Sequence, residues 1–447
     1  MSKEIDMCNG PIVGKLLVFA FPLMCSSVLQ LLFNAADTIV VGRFAGPDSL
    51  AAVGSTASLI QLITNMFVGL SVGANAVAAR YHGHGMKEEV NKTVHTAISM
   101  SIICGIILTF AAIPLARIFL EMMSSPENVI GLSTTYLRIY FLGMPAMMLY
   151  NFGSAMLRAL GDTKRPLYIL AFSGVINIIM NLFFVIVIRM DVAGVACATI
   201  ISQYISAILI LLVLAKEKGE LHLDIKKIRC DKKVLGKIMA IGFPAGLQGT
   251  IFSISNVVIQ SSVNSFGSVV MAGSAAAASL EGFMYVAMNA FHHTAITFNS
   301  QNLGARNYDR IDKITFSCVG LVACIGVVLS VIFVGFGPEL LAIYTNDSAS
   351  IQAGMDRMKM VAAFYTLCGL MDVMPGCLRG MSFSIMPMIV SLLGACAFRL
   401  VWVWTIFPYH HTTSNLYLSY PVSWIITFAV HIICYMVARK IIRKREI

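Results

Sequence analysis

Charged side chains are scarce in this sequence. Asp, Glu, Lys and Arg make up 12% of its 447 residues, whereas hydrophobic residues make up 58%. Soluble domains carry about a quarter charged and about half apolar residues. The shortage of charge excludes an ordinary soluble protein. It predicts an all-α, polytopic membrane protein.

Patterns that hold metals or perform catalysis are also missing. The eleven cysteines are scattered without any C-x-x-C, and no H-E-x-x-H occurs. These absences argue against a zinc site and against a membrane-embedded enzyme. No filter-like loop or ring of like charges favours a channel. We therefore expect no enzymatic activity, no cofactor and no dedicated metal site.

Apolar windows of about 20 residues, the length that crosses a bilayer as a helix, occur about twelve times. Mostly short loops join them, which leaves no room for a separate soluble domain. The predicted spans are 14–42, 51–79, 93–116, 133–157, 167–188, 193–215, 236–263, 271–300, 313–336, 353–377, 386–407 and 415–438.

The net charge of +10 is distributed as a membrane topology signal. Lys and Arg concentrate in alternate loops, above all in 216–233, and in the end segment 439–445, while the intervening loops hold little more than Arg43, Arg117 and Arg189. This pattern predicts a plasma (inner) membrane protein with both termini in the cytoplasm. It indicates contact with anionic lipids rather than nucleic acid.

The chain contains a long internal repeat. Pro22 in the first span recurs as Pro244 in the seventh, and Gly83 after the second span recurs as Gly304 after the eighth, at almost the same offset along the sequence. Each half holds six predicted spans, an even number, so both halves have the same orientation in the membrane. The sequence therefore predicts parallel repeats related by an axis along the membrane normal.

Two similar bundles about one axis suit alternating-access transport. We predict an N-terminal bundle over 1–222 and a C-terminal bundle over 223–447. Pro22 and Pro244 each remove a hydrogen bond inside a helix and favour a kink. Both are candidate hinges, although packing geometry alone would also explain a kink.

The first span carries one acid, Asp37, and an ionised carboxylate inside a bilayer costs several kcal/mol. Three spans offer polar pairs at i,i+3 or i,i+4 spacing, at depths of about 8 to 16 Å. A hydrated proton or cation site explains the carboxylate. Interhelical hydrogen bonding, worth about 0.6 kcal/mol each, and a wet interface near Asp37 are the alternatives. The predicted site residues are Asp37, Asn34, Asn177, Asn181, Thr199 and Gln203.

The second half does not copy this cluster, because Ile259 stands at the position equivalent to the acid. Its polar candidates are Asn256, Glu281 and Arg399. Glu281 and Arg399 lie about 14 and 12 Å below the outer surface and are predicted to form a buried ion pair. Asp372 is expected at the wet cytoplasmic end of its span.

Four motifs occur in order along the chain. They are Asn34-x-x-Asp37, Leu157-Arg158-Ala-x-Gly161-Asp162, Gly194-x-x-x-Ala198-Thr199 and Gln301-Asn302-x-Gly304-Ala305. With the two six-helix halves, the sequence resembles the multidrug and toxic compound extrusion (MATE) transporters, and more closely their DinF-like branch than their NorM branch.

The resemblance implies export of cationic or amphipathic small molecules, driven by inward movement of H⁺ or Na⁺. In the DinF-like branch, the cation site would correspond to Asp37, Asn177, Asn181 and Thr199. The family has an acid where this chain has Asn181, which weakens a sodium cage built on two charges. The NorM-branch acid of the seventh span is also missing. A proton is therefore favoured over sodium, with Asp37 as the only carboxylate for a possible Na⁺.

Substrate and assembly follow from the same resemblance. We expect a monomer whose partners are small-molecule substrates and membrane lipids. A lipid-linked or polysaccharide flippase of related architecture remains the alternative. It would need several cationic residues lining the central cavity, and Arg399 alone supplies few.

Overall fold

The computed structural model of the protein describes residues 5–123 and 126–444, and the secondary structure of these residues is helical. The predicted all-α polytopic fold is confirmed. The α-helices of this part of the chain are α1 Ile12–Phe44, α2 Pro47–Gly83, α3 Lys87–Met122, α4 Glu127–Leu142, α5 Met144–Ala159, α6 Lys164–Leu182, α7 Asp191–Lys216, α8 Lys232–Asn264, α9 Ser268–Gly304, α10 Tyr308–Gly335, α11 Gly337–Ala342, α12 Ser348–Met360, α13 Tyr365–Gly380, α14 Ile385–Ser391, α15 Phe398–Thr405 and α16 Thr413–Lys444.

Eleven helical segments among the described residues are long and apolar enough to cross a membrane, counting α12–α13 and α14–α15 as one segment each. The remaining predicted span, 133–157, is divided into α4 and α5, of 16 residues each. The helix breaks at Gly143 because Pro145, in the first turn of α5, has no N–H to continue the hydrogen-bond ladder. A Cβ atom at Gly143 would also lie 2.3 Å from Gln203 Oε1, so a side chain there would require the Gln203 side chain to move.

The helices form two compact units. The first comprises residues 5–6 and Cys25–Gly246, and the second comprises Met7–Met24 together with residues 247–444. Helices α1 and α8 therefore each begin in one unit and end in the other. The change of unit follows two residues after Pro22 in α1 and two residues after Pro244 in α8.

In the first unit, the beginning of α8 packs against α2 through glycines. Gly69 and Gly73 on α2 and Gly242 and Gly246 on α8 are each spaced four apart, which is the small-xxx-small pattern of close helix pairs in membranes. A Cβ atom at Gly69 would lie 2.2 Å from the Gly246 nitrogen. One at Gly73 would lie 2.4 Å from the Ile238 carbonyl oxygen. The two backbones are thus in direct contact.

In the second unit, α9 packs tightly on α13, where a Cβ atom at Gly376 would lie 2.6 Å from the His292 carbonyl oxygen. An aromatic core lies beside these helices. Tyr417 and Trp424 of α16 are buried, and the Tyr365 ring meets Trp424 edge-on at 5.5 Å. This core surrounds the charged residues described below.

Candidate functional site

Asp37, on the part of α1 that belongs to the first unit, is in contact with the end of α6. The Asn181 side-chain amide donates a hydrogen bond to the Asp37 carboxylate. Asn181 is 1% exposed and lies in the last turn of α6, directly before a π-helical turn over Phe183–Val187. Such turns are frequent at functional sites because they rotate the following residues relative to the α-helix.

Two further residues complete a polar cluster with Asp37. Asn181 Nδ2 also donates to Asn177 Oδ1 at 3.4 Å, and Asn177 Nδ2 donates to Thr199 Oγ1 at 3.5 Å. The Thr199 hydroxyl, on α7, donates to the Val195 carbonyl oxygen at 2.9 Å and lies close to the Asp37 carboxylate. The structure therefore brings together Asp37, Asn177, Asn181 and Thr199, as the i,i+4 spacings predict.

Within the described residues, no Lys, Arg or His side chain pairs with Asp37, so amide and hydroxyl dipoles surround its charge. Asn181 Oδ1 is buried and has no hydrogen-bond partner in this part of the chain. Buried polar atoms are nearly always satisfied. An unsatisfied oxygen beside a carboxylate can bind a cation, or accept a hydrogen bond from a protonated Asp37. The arrangement is suited to the reversible uptake of one positive charge.

The other two predicted residues lie differently. Asn34 is exposed, and its carbonyl oxygen accepts a hydrogen bond from Thr38 Oγ1 at 2.9 Å. Among the residues described, its side chain makes no hydrogen bond to the cluster. Gln203 packs beside Gly143 and next to Tyr140 of α4. Tyr140, which interacts with both Gln203 and Asp37, connects it to the cluster.

Tyr136 and Tyr140 are members of the site that the sequence reasoning missed. Both lie close enough to Asp37 to interact with it electrostatically, and their rings stack with centroids 5.9 Å apart. Tyrosines at i,i+4 on a short helix share one face, and this spacing is the signal that could have identified them. Their aromatic rings therefore lie beside the Asp37 carboxylate.

The predicted pair between Glu281 and Arg399 is wrong. Arg357 Nε and Nη2 donate to the two Glu281 carboxylate oxygens at 2.9 and 2.7 Å, and Arg357 Nη1 donates to Ser274 Oγ at 2.9 Å. Arg357 lies on α12, which packs on α9. Arg357 lies four residues inside the predicted tenth span and is not among the predicted site residues, and the structure buries it.

Arg399 is buried in the aromatic core instead. Its Nε donates to Ser423 Oγ at 2.8 Å, and its guanidinium lies 4.4 Å from the Tyr420 ring centroid and 5.6 Å from that of Trp424. Cation–π contacts of this kind stabilise a charge that has no acidic partner. Asn256, the remaining candidate of the second half, is exposed on α8.

Asp372, which was expected at the wet cytoplasmic end of its span, lies in a hydrogen-bond network. Its side chain is 16% exposed and accepts a hydrogen bond from Asn289 Nδ2 at 2.8 Å. Its carbonyl oxygen is 2.7 Å from the His292 ring. The other ring nitrogen of His292 lies 3.3 Å from Arg379. Asp372 thus belongs to a buried network between α9 and α13.

Comparison with known proteins adds three findings. The family model described as MatE matches residues 22–183 and 244–405. The two matches begin at Pro22 and at Pro244, the pair of prolines that marks the internal repeat. The family pattern thus occurs once in each half.

Two relatives are similar over most of their length. The chain is 28% identical to the probable multidrug resistance protein YpnP of Bacillus subtilis (strain 168), over 89% of each chain. It is 24% identical to the probable multidrug resistance protein NorM of Thermotoga maritima, over 86% of this chain and 84% of the relative. A solved outward-facing conformation of a MATE family transporter superposes with a TM-score of 0.92 at 19% identity, covering 99% of both chains. This likeness shows a shared fold.

Proposed function

Because the chain belongs to the MatE family of transporters, we propose that it is an ion-coupled antiporter that exports cationic or amphipathic small molecules by alternating access. YpnP and NorM, both named probable multidrug resistance proteins, support this substrate class. The coupling ion we propose is the proton. Asp37 takes it up and releases it.

The observation that carries this proposal is the contact between Asp37 and Asn181. An ionised Asp37 accepts the hydrogen bond from Asn181, whereas a protonated one must also donate. Protonation therefore removes a charge and requires the surrounding amides to rearrange. A change in hydrogen bonding of this kind gives two conformations of the first unit different affinities for the proton, which is the condition for coupling.

The proton is favoured over Na⁺ because the cluster holds a single carboxylate. Asn177, Asn181 and Thr199 supply neutral oxygens, which bind a hard cation less strongly than a second carboxylate would. The same cluster, together with the apolar residues around Phe252 in place of the NorM-branch acid of the seventh span, supports the DinF-like branch over the NorM branch. We further propose a monomer with both termini in the cytoplasm, and hinges at Pro22 and Pro244.

The flippase alternative lacks support. It would need uncompensated basic groups lining the transport cavity. Arg357 is neutralised by Glu281, and Arg399 is 3% exposed and lies among aromatic rings. Neither offers a free cation to an anionic lipid carrier.

Transport into reconstituted vesicles tests the proposal, with a proton gradient and a sodium gradient imposed separately. We expect the proton gradient, and not the sodium gradient, to drive transport of a fluorescent organic cation in the opposite direction. Asp37→Asn should abolish this transport. Asp191→Asn is the matched control, because Asp191 is exposed and its positive φ of 48° is one that Asn adopts readily. Undiminished transport by Asp37→Asn would refute the role of Asp37. Transport driven only by sodium would refute the proton.

A further inference from the structure

The segment between α7 and α8, residues 217–231, is here termed the linker, and it is folded onto the first unit. Asn91 Nδ2 donates to the carbonyl oxygen of His222 at 2.7 Å. The His82 ring and the Glu220 carboxylate are 2.6 Å apart. The Asp231 nitrogen donates to Thr96 Oγ1 at 3.1 Å. Three separate contacts thus fix the course of the linker along α2 and α3.

These contacts place the linker at the level where α3 enters the membrane. Asn91 and Thr96 are four and nine residues into α3, which corresponds to about 6 and 14 Å along the helix axis. Residues 87–96 of α3 are mostly polar, and the apolar run starts at Ala97. The linker therefore lies beside the polar-to-apolar transition, which is the depth of lipid head groups.

A basic cavity of about 480 Å³ lies between the linker and α3. Its charged lining consists of Lys92, Lys226, Lys227 and Arg229 with one acid, Asp224. Lys227 and Asp224 are 3.2 Å apart, and Lys92 lies 2.7 Å from Glu89. The lining therefore carries an excess of positive charge, which Lys226 and Arg229 supply.

An apolar side chain accompanies these charges. Ile225, in the short 3₁₀ turn Ile225–Lys227, is 64% exposed. Ile225 stands between Asp224 and Lys226, and an exposed aliphatic side chain next to lysines can insert into the interface of a membrane. Clusters of Lys and Arg next to a membrane helix attract anionic lipids by about 1 kcal/mol per residue.

We propose that this cavity binds the head group of an anionic phospholipid from the leaflet on the linker's side of the membrane. Lys226, Lys227 and Arg229 contact the phosphate, and Ile225 packs against the acyl chains. A soluble phosphate would present the same anionic oxygens. The exposed Ile225 favours a lipid as the source, because free phosphate offers it no apolar surface.

The repeat supports the site independently. Lys313 stands at the position of the second repeat that is equivalent to Lys92, since each follows its repeated glycine, Gly304 or Gly83, at the same distance along the chain. It lines a second basic cavity of about 450 Å³ in the second unit, together with Arg306 and Arg310. The segment preceding α1 lines that cavity through Cys8 and Asn9, as the segment preceding α8 lines the first. Asp309 also lines this second cavity, and the first repeat has Gly85 and Glu89 where the second has Arg306 and Arg310. Lys92 and Lys313 are therefore the cations that the repeat places at both cavities.

Lipid binding by the purified full-length protein tests the proposal. Native mass spectrometry counts the phosphatidylglycerol or phosphatidylcholine retained, with matched acyl chains. We expect the wild type to retain phosphatidylglycerol in preference, and the triple variant Lys226→Gln, Lys227→Gln, Arg229→Gln to lose about tenfold or more in affinity. The control variant Arg43→Gln, Arg117→Gln, Arg189→Gln removes the same number of charges from exposed positions outside the basic segments and should bind as the wild type does. Thermal unfolding without added lipid checks that all variants are folded.

Two further arms separate a lipid from a free anion. Ile225→Ser should weaken phosphatidylglycerol binding, and inorganic phosphate at the same concentration should not displace the lipid. Equal retention of phosphatidylglycerol by the linker variant, or equal loss in the control variant, would overturn the proposal. Displacement by phosphate, with no effect of Ile225→Ser, would assign the cavity to a soluble anion instead and would also overturn it.

Discussion

At the scale of single residues, Asn181 determines how many negative charges the polar cluster holds. Its amide donates directly to Asp37, so Asn181→Asp creates two carboxylates in contact. Like charges this close require that one carboxylate binds a proton or that the pair binds a cation. We expect this variant to gain a sodium response: at a fixed proton gradient, its transport rises with Na⁺, whereas the wild type is insensitive. Asn34→Asp adds an acid at a nearby exposed position and should give no such response. A variant at 181 that ignores sodium would contradict the prediction.

The ion pair of Glu281 and Arg357 is the strongest candidate for a stabilising charge contact in the second unit, since the two residues are 5% and 6% exposed. Glu281→Gln leaves the Arg357 charge buried without a partner, and such losses cost about 3–5 kcal/mol. We expect a clear fall in the thermal unfolding midpoint in detergent. The double variant Glu281→Met, Arg357→Met should be less destabilised than Glu281→Gln, because no charge is left behind.

The control for this pair is Glu121→Gln. Glu121 and Arg117 form an exposed i,i+4 pair at the end of α3, and exposed pairs contribute little to stability. Its unfolding midpoint should stay close to that of the wild type. Equal midpoints for Glu281→Gln and Glu121→Gln would show that the buried pair is not stabilising.

Sequence spacing could predict the residues around Asp37 but not the partner of Glu281. Asn177 and Asn181 share a helix face at i,i+4 spacing, and hydropathy alone fixes the depth of that face. The partner of Glu281 depends on how α12 is rotated against α9. Periodicity does not determine that rotation, so the choice between Arg357 and Arg399 requires the packed structure.

At the scale of helices, Gly246 allows α8 to approach α2. A Cβ atom at this position would lie 2.1 Å from the Met66 carbonyl oxygen, so Gly246→Ala forces the two backbones apart. Overpacking of this kind costs about 1–3 kcal/mol, and we expect a lower unfolding midpoint. Gly236→Ala is the control on the same helix, because a Cβ atom there meets no other atom within 4 Å. Similar midpoints for the two variants would contradict the tight contact.

The helices themselves were largely predictable, because a bilayer requires long apolar runs whose backbone groups are all bonded within the helix. The break between α4 and α5 was not predicted. Hydropathy averages over windows and does not detect a Gly143–Pro145 break inside an apolar segment. The interruption between α12 and α13, over the 3₁₀ turn Ala362–Phe364, was not predicted for the same reason.

At the scale of the whole molecule, the fold is duplicated while its polar chemistry is not. The MatE pattern occurs in both halves, yet Ile259 stands where the second repeat would carry the equivalent of Asp37. In the second unit, Glu281 is instead neutralised by Arg357, Arg399 is held by aromatic rings, and Asp372 belongs to the network with His292 and Arg379. Under the proposed function, the first unit binds the coupling ion, and the second unit supplies a framework whose charges stay fixed.

Helix α1 begins in the second unit and α8 begins in the first. We therefore predict that the two halves of the chain depend on each other. The first unit requires residues 232–246, which follow the predicted boundary at 222, and the second requires Met7–Met24, which precede it. Expressed alone, 1–222 should aggregate in detergent, because the α2 surface at Gly69 and Gly73 lacks its partner helix.

Expressed together, 1–222 and 223–447 should co-purify through a tag on one half. Gly242→Leu with Gly246→Leu in the second half should sharply reduce co-purification, since α2 can no longer approach α8, whereas Gly236→Leu should not. Halves that are monodisperse when expressed alone and do not co-purify would mean that each folds without the exchanged segments.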